Sequence, residues 1–296
     1  MKKIAKLAKS KFGIKKLKDK QLEILTALLE KKRDVCAVLA TGYGKSLCYQ
    51  LPSVFLDKIV LVVSPLVALM EDQRIQLEAK EIPVCCLNGN NWNKSKDERE
   101  LLDGENKLVY ITPEHLASSE EFVEDLVAED RLGLIAIDES HCISTWGLDF
   151  RPSYLALGYL KQSAPKVPIL ALTATATAQV RKDICTHLQL EKPLQVTGGF
   201  NRPNLSLTIR RKGESPLKDL LPLLKTFRGK RKIIYCKTRA ETEELTALLW
   251  EKDISCRAYH AGLSAKKRQL AQERFISGRT KAIIATIAFG LGIDVP

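Results

Sequence analysis

Residues 40–46 read Ala-Thr-Gly-Tyr-Gly-Lys-Ser and lie between an apolar run at 35–40 and a helical run that includes Ser46-Leu47-Cys48. Glycines at 42 and 44 let backbone N–H groups approach phosphate oxygens at a turn that opens a helix, where the peptide dipoles also favour an anion. Thr41, Gly42, Tyr43 and Gly44 would form the cradle. Lys45 would supply a point charge for the β and γ phosphates, and the Ser46 hydroxyl could hold magnesium. Further along, the apolar run 134–138 delivers Asp138-Glu139-Ser140-His141. Two adjacent carboxylates there could divide the work of hydrolysis, Asp138 orienting magnesium and Glu139 polarising the attacking water. With a strand before it and a helix after it the first motif reads as a phosphate cradle rather than a plain Gly-rich turn, whereas the acidic pair alone would be a solvated loop. In series they predict a site for ATP and Mg²⁺.

Such groups need a rigid edge to stand on. Apolar runs of strand length recur at 35–40, 59–64, 83–87, 108–112, 134–138 and 169–173, separated by helix-period stretches such as 21–31 and 66–80. That alternation predicts an α/β fold with a parallel sheet covered on both faces, whose carboxyl edge gathers the loops. Between 198 and 216 glycine, proline, asparagine and basic residues cluster and the alternation pauses. A linker there divides the chain into lobes at 1–200 and 201–296. The pattern then resumes, with strands at 232–236, 255–261 and 281–286 around helices at about 239–251 and 265–277.

Forty-seven Lys and Arg against 35 Asp and Glu give a formal charge of +12, which favours a polyanionic partner. The eight cysteines, at 36, 48, 85, 86, 142, 185, 236 and 256, contain no C-x-x-C pair. Zinc spacing and a disulfide ladder are therefore not indicated, and reduced thiols in an intracellular setting are expected. No apolar run approaches membrane-spanning length. The first 20 residues carry nine lysines, read as the solvated face of a helix resting on Ile4, Leu7, Ala8 and Phe12, with phosphate contact as a second possibility.

The Asp-Glu-Ser-His sequence resembles a DExH box, and the segment 142–154 that follows, CISTWGLDFRPSY, resembles the aromatic-rich loop of RecQ-family DNA helicases of superfamily 2. Other segments fall in that family's order: SPLVALMEDQ from Ser64, ITPEHL from Ile111, ALTATAT from Ala171, FNRPNL from Phe200 and AFGLGID from Ala288. Leu39, where a strict P-loop has glycine, is a departure that superfamily 2 helicases share. The resemblance covers nearly the whole chain. It implies two RecA-like lobes, a catalytic set of Lys45, Asp138, Glu139 and His141, and ATP with Mg²⁺ as cofactors. Trp146 and Phe150 would stack on bases of single-stranded DNA, with Arg151 on a phosphate or base face. Ser64 and Thr112, with Pro113, would lie along the same groove, while Thr173 and Thr175 would link the ATP site to the lobe interface and the DNA. Upstream, FGIKKLKDKQ resembles the adenine-reading segment: Gln21 would read the base, and Lys18 stands where the family usually has arginine. In the second lobe Thr286, Gly290, Gly292 and Asp294 match the motif that reaches the nucleotide and the DNA backbone.

The resemblance further implies 3′-to-5′ unwinding, single-stranded DNA and duplex junctions as partners, roles in DNA repair and recombination, and no membrane. It implies a nuclear setting in a eukaryote and a cytoplasmic one otherwise. A QxxGRxGR segment with its γ-phosphate arginine and a cysteine-rich zinc region do not occur in these 296 residues, so an incomplete second lobe is expected. Three alternatives stay open: an ATP- and DNA-binding fragment without turnover, an RNA helicase, for which DEAD and SAT would replace DESH and TAT, and a metabolic P-loop kinase.

Overall fold

The computed structural model describes residues 1–87, 106–147, 149–199, 201, 203–213 and 215–289, at position 120 by its backbone alone. The chain divides into two compact units, Met1–Arg202 and Pro203–Pro296.

In the first unit, runs rich in Val, Ile and Leu fold as strands because both faces of each are covered and only continuous apolar sequence satisfies that position. They are β1 (Val35–Val38), β2 (Ile59–Val63), β3 (Val84–Leu87), β4 (Leu108–Ile111), β5 (Leu132–Ile137), β6 (Ile169–Thr173) and β7 (Leu194–Thr197). Among the described residues they make one parallel sheet in the order β3-β4-β2-β5-β6-β1-β7. β1, β2, β4, β5 and β6 are buried along their whole length. On one face Ile24, Leu28, Tyr49, Met70 and Leu77 pack against Val35, Ala37, Val60 and Val62. On the other, Leu116, Phe122, Leu126, Tyr154, Leu157 and Ile184 pack against Leu61, Val63, Ile135 and Ile137. Each fully buried Leu or Ile contributes on the order of 1.5–3 kcal/mol.

The helix Lys2–Phe12 forms an outer layer. Its Ile4 and Ala8 bury against Leu17, Leu25, Leu47 and Leu51. It ends at Gly13, whose φ of 69° is the left-handed conformation that closes a helix at little cost to glycine.

The second unit repeats the logic at smaller scale. β8 (Lys232–Tyr235), β9 (Cys256–Tyr259) and β10 (Ala282–Ala285) pair in parallel in the order β8-β10-β9, among the described residues. The helices Pro216–Thr226 and Arg239–Trp250 cover one face through Leu224, Leu245 and Leu249, and the helix Ala265–Ile276 covers the other through Ala271 and Phe275. Both units are thus parallel sheets clothed by helices, the α/β class read from the alternation. β7 escaped that reading, because its four residues, Leu-Gln-Val-Thr, carry one buried position and little apolar run.

Candidate functional site

Since every strand of the first sheet is parallel, the loops that follow β1, β2, β4, β5 and β6 all leave at one edge. They carry Lys45, Ser64, Thr112, Asp138 and Thr175 respectively.

After β1 the chain turns through Gly42 (φ 76°) and Gly44 (φ 90°) into the helix Leu47–Phe55. A Cβ on Gly44 would stand 2.7 Å from Gln21 Nε2, so glycine is required there by both its φ and its neighbour. Lys45 Nζ donates to the Leu39 carbonyl at 3.4 Å, a long bond that leaves most of its donor capacity for an anion. Gln21 ties the loop to the start of the helix Asp19–Leu29. Its Oε1 accepts from the Lys18 amide at 2.9 Å, and its Nε2 donates to the carbonyls of Gly44 at 3.0 Å and Tyr43 at 3.4 Å. Lys18 Nζ donates to the Tyr43 carbonyl at 2.8 Å and sits 4.6 Å over the Tyr43 ring. The positions read as an adenine segment therefore brace the phosphate loop, and Gln21 is buried in doing so.

After β5, Asp138 is buried and its backbone amide donates to the Val63 carbonyl at 2.9 Å. Its carboxylate accepts from the Glu139 amide through Oδ1 at 2.9 Å. Tyr49 brings its hydroxyl 3.4 Å from Asp138 Oδ2 and 3.0 Å from Gln73 Oε1, and its single proton serves one of the two at a time. Tyr154 donates to the Asp138 carbonyl at 2.9 Å. Glu139 holds φ 47° and ψ 40°, a left-handed conformation that costs a non-glycine residue on the order of 1–3 kcal/mol and that clusters at functional positions. That turn aims its carboxylate at His141, whose Nδ1 lies 3.2 Å from Glu139 Oε2 and 2.8 Å from Thr173 Oγ1. A carboxylate can only accept, so the arrangement is satisfied with the proton on Nδ1. Thr173 Oγ1 in turn donates to the Thr175 carbonyl and accepts from the Thr175 amide, both at 3.2 Å.

Burial pushes the Asp138 carboxyl up to about 6, reinforced by the charge of Glu139 and opposed by the Glu139 amide and Lys45. Burial acts on Glu139 in the same direction, but the His141 hydrogen bond and the Lys45 charge outweigh it and hold this acid below its ordinary value. The lysine after β1 thus reaches both carboxylates electrostatically. Two glycines with positive φ, a sparsely engaged ammonium, the Ser46 hydroxyl and a buried carboxylate form a donor set suited to a magnesium–nucleotide.

Along the same edge, Trp146 is 76% exposed and Phe150 37% exposed, whereas a core role would have hidden both. Their loop is anchored rather than loose. Ser144 donates to Asp183 at 2.6 Å and accepts from the Trp146 amide at 3.2 Å. Arg151 donates to the Pro65 carbonyl at 3.1 Å and to Asp149. Thr175 is exposed. Ser64 and Thr112 are buried: among the described residues the Ser64 hydroxyl has no hydrogen-bond partner, and Thr112 caps the helix Pro113–Ala117 by accepting from the His115 amide at 3.3 Å. Gly290, Gly292, Asp294 and Phe200 lie outside the described residues. Thr286 donates its amide to the Tyr259 carbonyl at 3.1 Å, and His260 is buried 3.1 Å from Glu243. No group of three His, Cys, Asp or Glu side chains suited to a metal occurs among the described residues, and no described helix is long and apolar enough to cross a membrane.

Tyr49, Gln73 and Tyr154 escaped sequence reading. Tyr49 lies four residues beyond Lys45, in the helix Leu47–Phe55 that the phosphate loop opens, a spacing that could have flagged it. Tyr154 meets Asp138, and Gln73 meets Tyr49, only through the fold.

Residues 18–184 match the DEAD/DEAH box helicase family, and residues 215–296 match the helicase conserved C-terminal domain. The chain is 41% identical, over 295 residues, to a protein of Acanthamoeba polyphaga mimivirus named as a candidate ATP-dependent RNA helicase, R290, covering 100% of this chain and 54% of that protein. It is 41% identical over 288 residues to the ATP-dependent DNA helicase RecQ of Haemophilus influenzae, covering 97% and 46%. The chain spans about half the length of these curated relatives. Among solved structures, the DUF1998 helicase MrfA bound to DNA superposes with a TM-score of 0.76 at 22% identity, over 100% of this chain and 46% of that one.

Proposed function

Because this chain belongs to the DEAD/DEAH box helicase family, with RecQ-type DNA helicases among its relatives at about 40% identity, we propose that it is an ATP-dependent DNA helicase motor. It hydrolyses ATP under stimulation by single-stranded DNA and couples that cycle to 3′-to-5′ movement and duplex opening. The observation that carries this reading is the convergence, at one sheet edge, of Lys45, the Asp138–Glu139 pair and a solvent-facing Trp146 on the loop that leaves the acidic turn.

In this reading the backbone N–H groups of residues 41–46 receive the phosphates and Lys45 neutralises charge on the β and γ groups. Ser46 and Asp138 would hold magnesium, which supplies further charge neutralisation on the phosphates when bound. Glu139, held as a carboxylate, orients the attacking water and takes its proton. His141 fixes the Glu139 side chain and links it through Thr173 to the exposed Thr175. Trp146 and Phe150 stack on bases of a single strand, and their anchor to residues 142–144 ties strand occupancy to the acidic turn.

The mimivirus relative supports a second reading, in which the stimulating strand is RNA. One experiment separates both from a binder without turnover: ATP hydrolysis by the purified chain alone, with single-stranded DNA and with single-stranded RNA, beside Lys45→Ala. DNA-stimulated turnover that disappears in Lys45→Ala is the expected result. Stimulation by RNA alone selects the second reading, and bound ATP and DNA without turnover overturns the motor.

A further inference from the structure

Eight lysines and no acidic residue occupy positions 1–18, so this short segment carries eight of the chain's twelve net positive charges. Its helix, Lys2–Phe12, has lysines at its first two positions, where the helix dipole disfavours a cation, and no acidic residue in the first turn. Lys2, Lys6 and Lys9 follow at helical spacing on the side opposite the buried Ile4 and Ala8, and all three are exposed. Elsewhere in this unit several basic side chains meet acids: Lys20 with Glu23, Lys58 with Asp130, Arg74 with Glu71 and Glu78, Lys107 with Asp57. In this segment, among the described residues, only Lys11 does so, 3.8 Å from Glu81. Like charges one turn apart destabilise a helix, and a merely solvated face gains nothing from that arrangement.

We propose that the helix Lys2–Phe12 and the turn after it form a second nucleic-acid surface, which grips the phosphate backbone of duplex DNA separately from the Trp146 loop. This rests on the helicase reading above. Three observations choose the partner. The stripe from Lys2 to Lys9 spans about 10 Å, a length over which a duplex presents about six phosphate charges. The segment's one aromatic, Phe12, is half-buried in the core, so the surface offers charge without the stacking platform that single-strand sites use. The apolar side of the helix is spent on Leu17, Leu25, Leu47 and Leu51, which leaves no face to enter a bilayer.

The test compares the full chain with a variant carrying Lys2→Gln, Lys3→Gln, Lys6→Gln and Lys9→Gln, and with the four corresponding Lys→Arg changes. Affinity for a blunt duplex and for a single strand is titrated against salt. The expected result is about a tenfold or greater loss of duplex affinity at low salt in the Gln variant. The slope of log K against log salt should also fall by about 0.9 for each phosphate no longer neutralised. The Arg variant should keep both, and single-strand-stimulated turnover at saturation should be unchanged in all three. Equal duplex affinity and slope in the Gln and wild-type chains overturns the proposal. Substitution-sensitive binding to phosphatidylserine vesicles with duplex affinity untouched overturns it as well. Should no chain show stimulated turnover, the motor reading fails while the duplex titration still decides this surface.

Discussion

The imidazole of His141 stands 2.8 Å from the hydroxyl of Thr173, joining the acidic turn after β5 to the loop after β6 across 32 residues of sequence. Because the same Nδ1 lies 3.2 Å from Glu139, the contact couples the candidate base to Thr175, which faces solvent. Replacing Thr173 by Val keeps the volume and removes the acceptor. DNA-stimulated kcat should fall about tenfold, on the order of one hydrogen bond to a charged network, with the KM for ATP little changed. Thr173→Ser should restore most of it. Steady-state kinetics on the three proteins read the outcome, and unaltered kcat in Thr173→Val would sever the proposed link.

Trp146 is 76% exposed, so truncating it removes little packing. Trp146→Ala should leave thermal stability within about 0.5 kcal/mol of the wild type. Its affinity for single-stranded DNA should drop by about 1–3 kcal/mol, the worth of a stacked base. Calorimetry and fluorescence anisotropy measure the two separately, and a large loss of stability would return the side chain to a structural role.

Gly44 and Gln21 should behave as one unit. Gly44→Ala introduces a Cβ 2.7 Å from Gln21 Nε2 at a φ of 90°, which displaces the amide from the phosphate loop. Each of Gly44→Ala and Gln21→Ala should weaken ATP binding. The double variant should lose less than the two effects added, because the second change removes a bond already broken. Additive losses in nucleotide titrations would show that the two act independently.

Among the described residues Lys45 makes one long hydrogen bond, and its charge acts on the two site carboxylates, so its removal should cost hydrolysis rather than folding. Lys45→Ala should melt within about 0.5 kcal/mol of the parent while DNA-stimulated turnover falls below detection. Thermal melts and a coupled ATPase assay on the same preparation check the pair of outcomes.

Thiol chemistry offers a pH test that leaves the acidic site aside. Burial pushes the Cys48 thiol from its ordinary value of 9.0 up to about 12, while the hydrogen bond from Cys36 holds Cys185 below its ordinary value. An acid whose folded pKa is raised stabilises the fold fully below the unfolded value and loses that contribution as pH climbs toward the folded value. Stability should therefore decline between about pH 9 and 12 in proportion to what Cys48→Ser abolishes, beyond the constant cost of the substitution. At pH 8 Cys185 should be alkylated by iodoacetamide well before Cys48, as peptide mass mapping over time would reveal.

The amino-acid sequence by itself determined the α/β alternation and the identity of the two chemical motifs, because each is local. Val, Ile and Leu runs can satisfy only a strand covered on both faces, and the glycines of Ala-Thr-Gly-Tyr-Gly-Lys-Ser can be read only as a turn opening a helix. What local pattern cannot carry is which loops meet. The parallel order β2-β5-β6-β1 places the ends of distant strands a few ångströms apart, and that alone brought Thr173 to His141, Tyr49 and Tyr154 to Asp138, and the Lys45 charge to both carboxylates. Exposure was equally a tertiary decision. Trp146 and Tyr154 lie eight residues apart, yet one faces solvent and the other is fully buried, since Tyr154 joins the core cluster against Val63, Ile135 and Ile137 while the turn at 145–147 stays outside it.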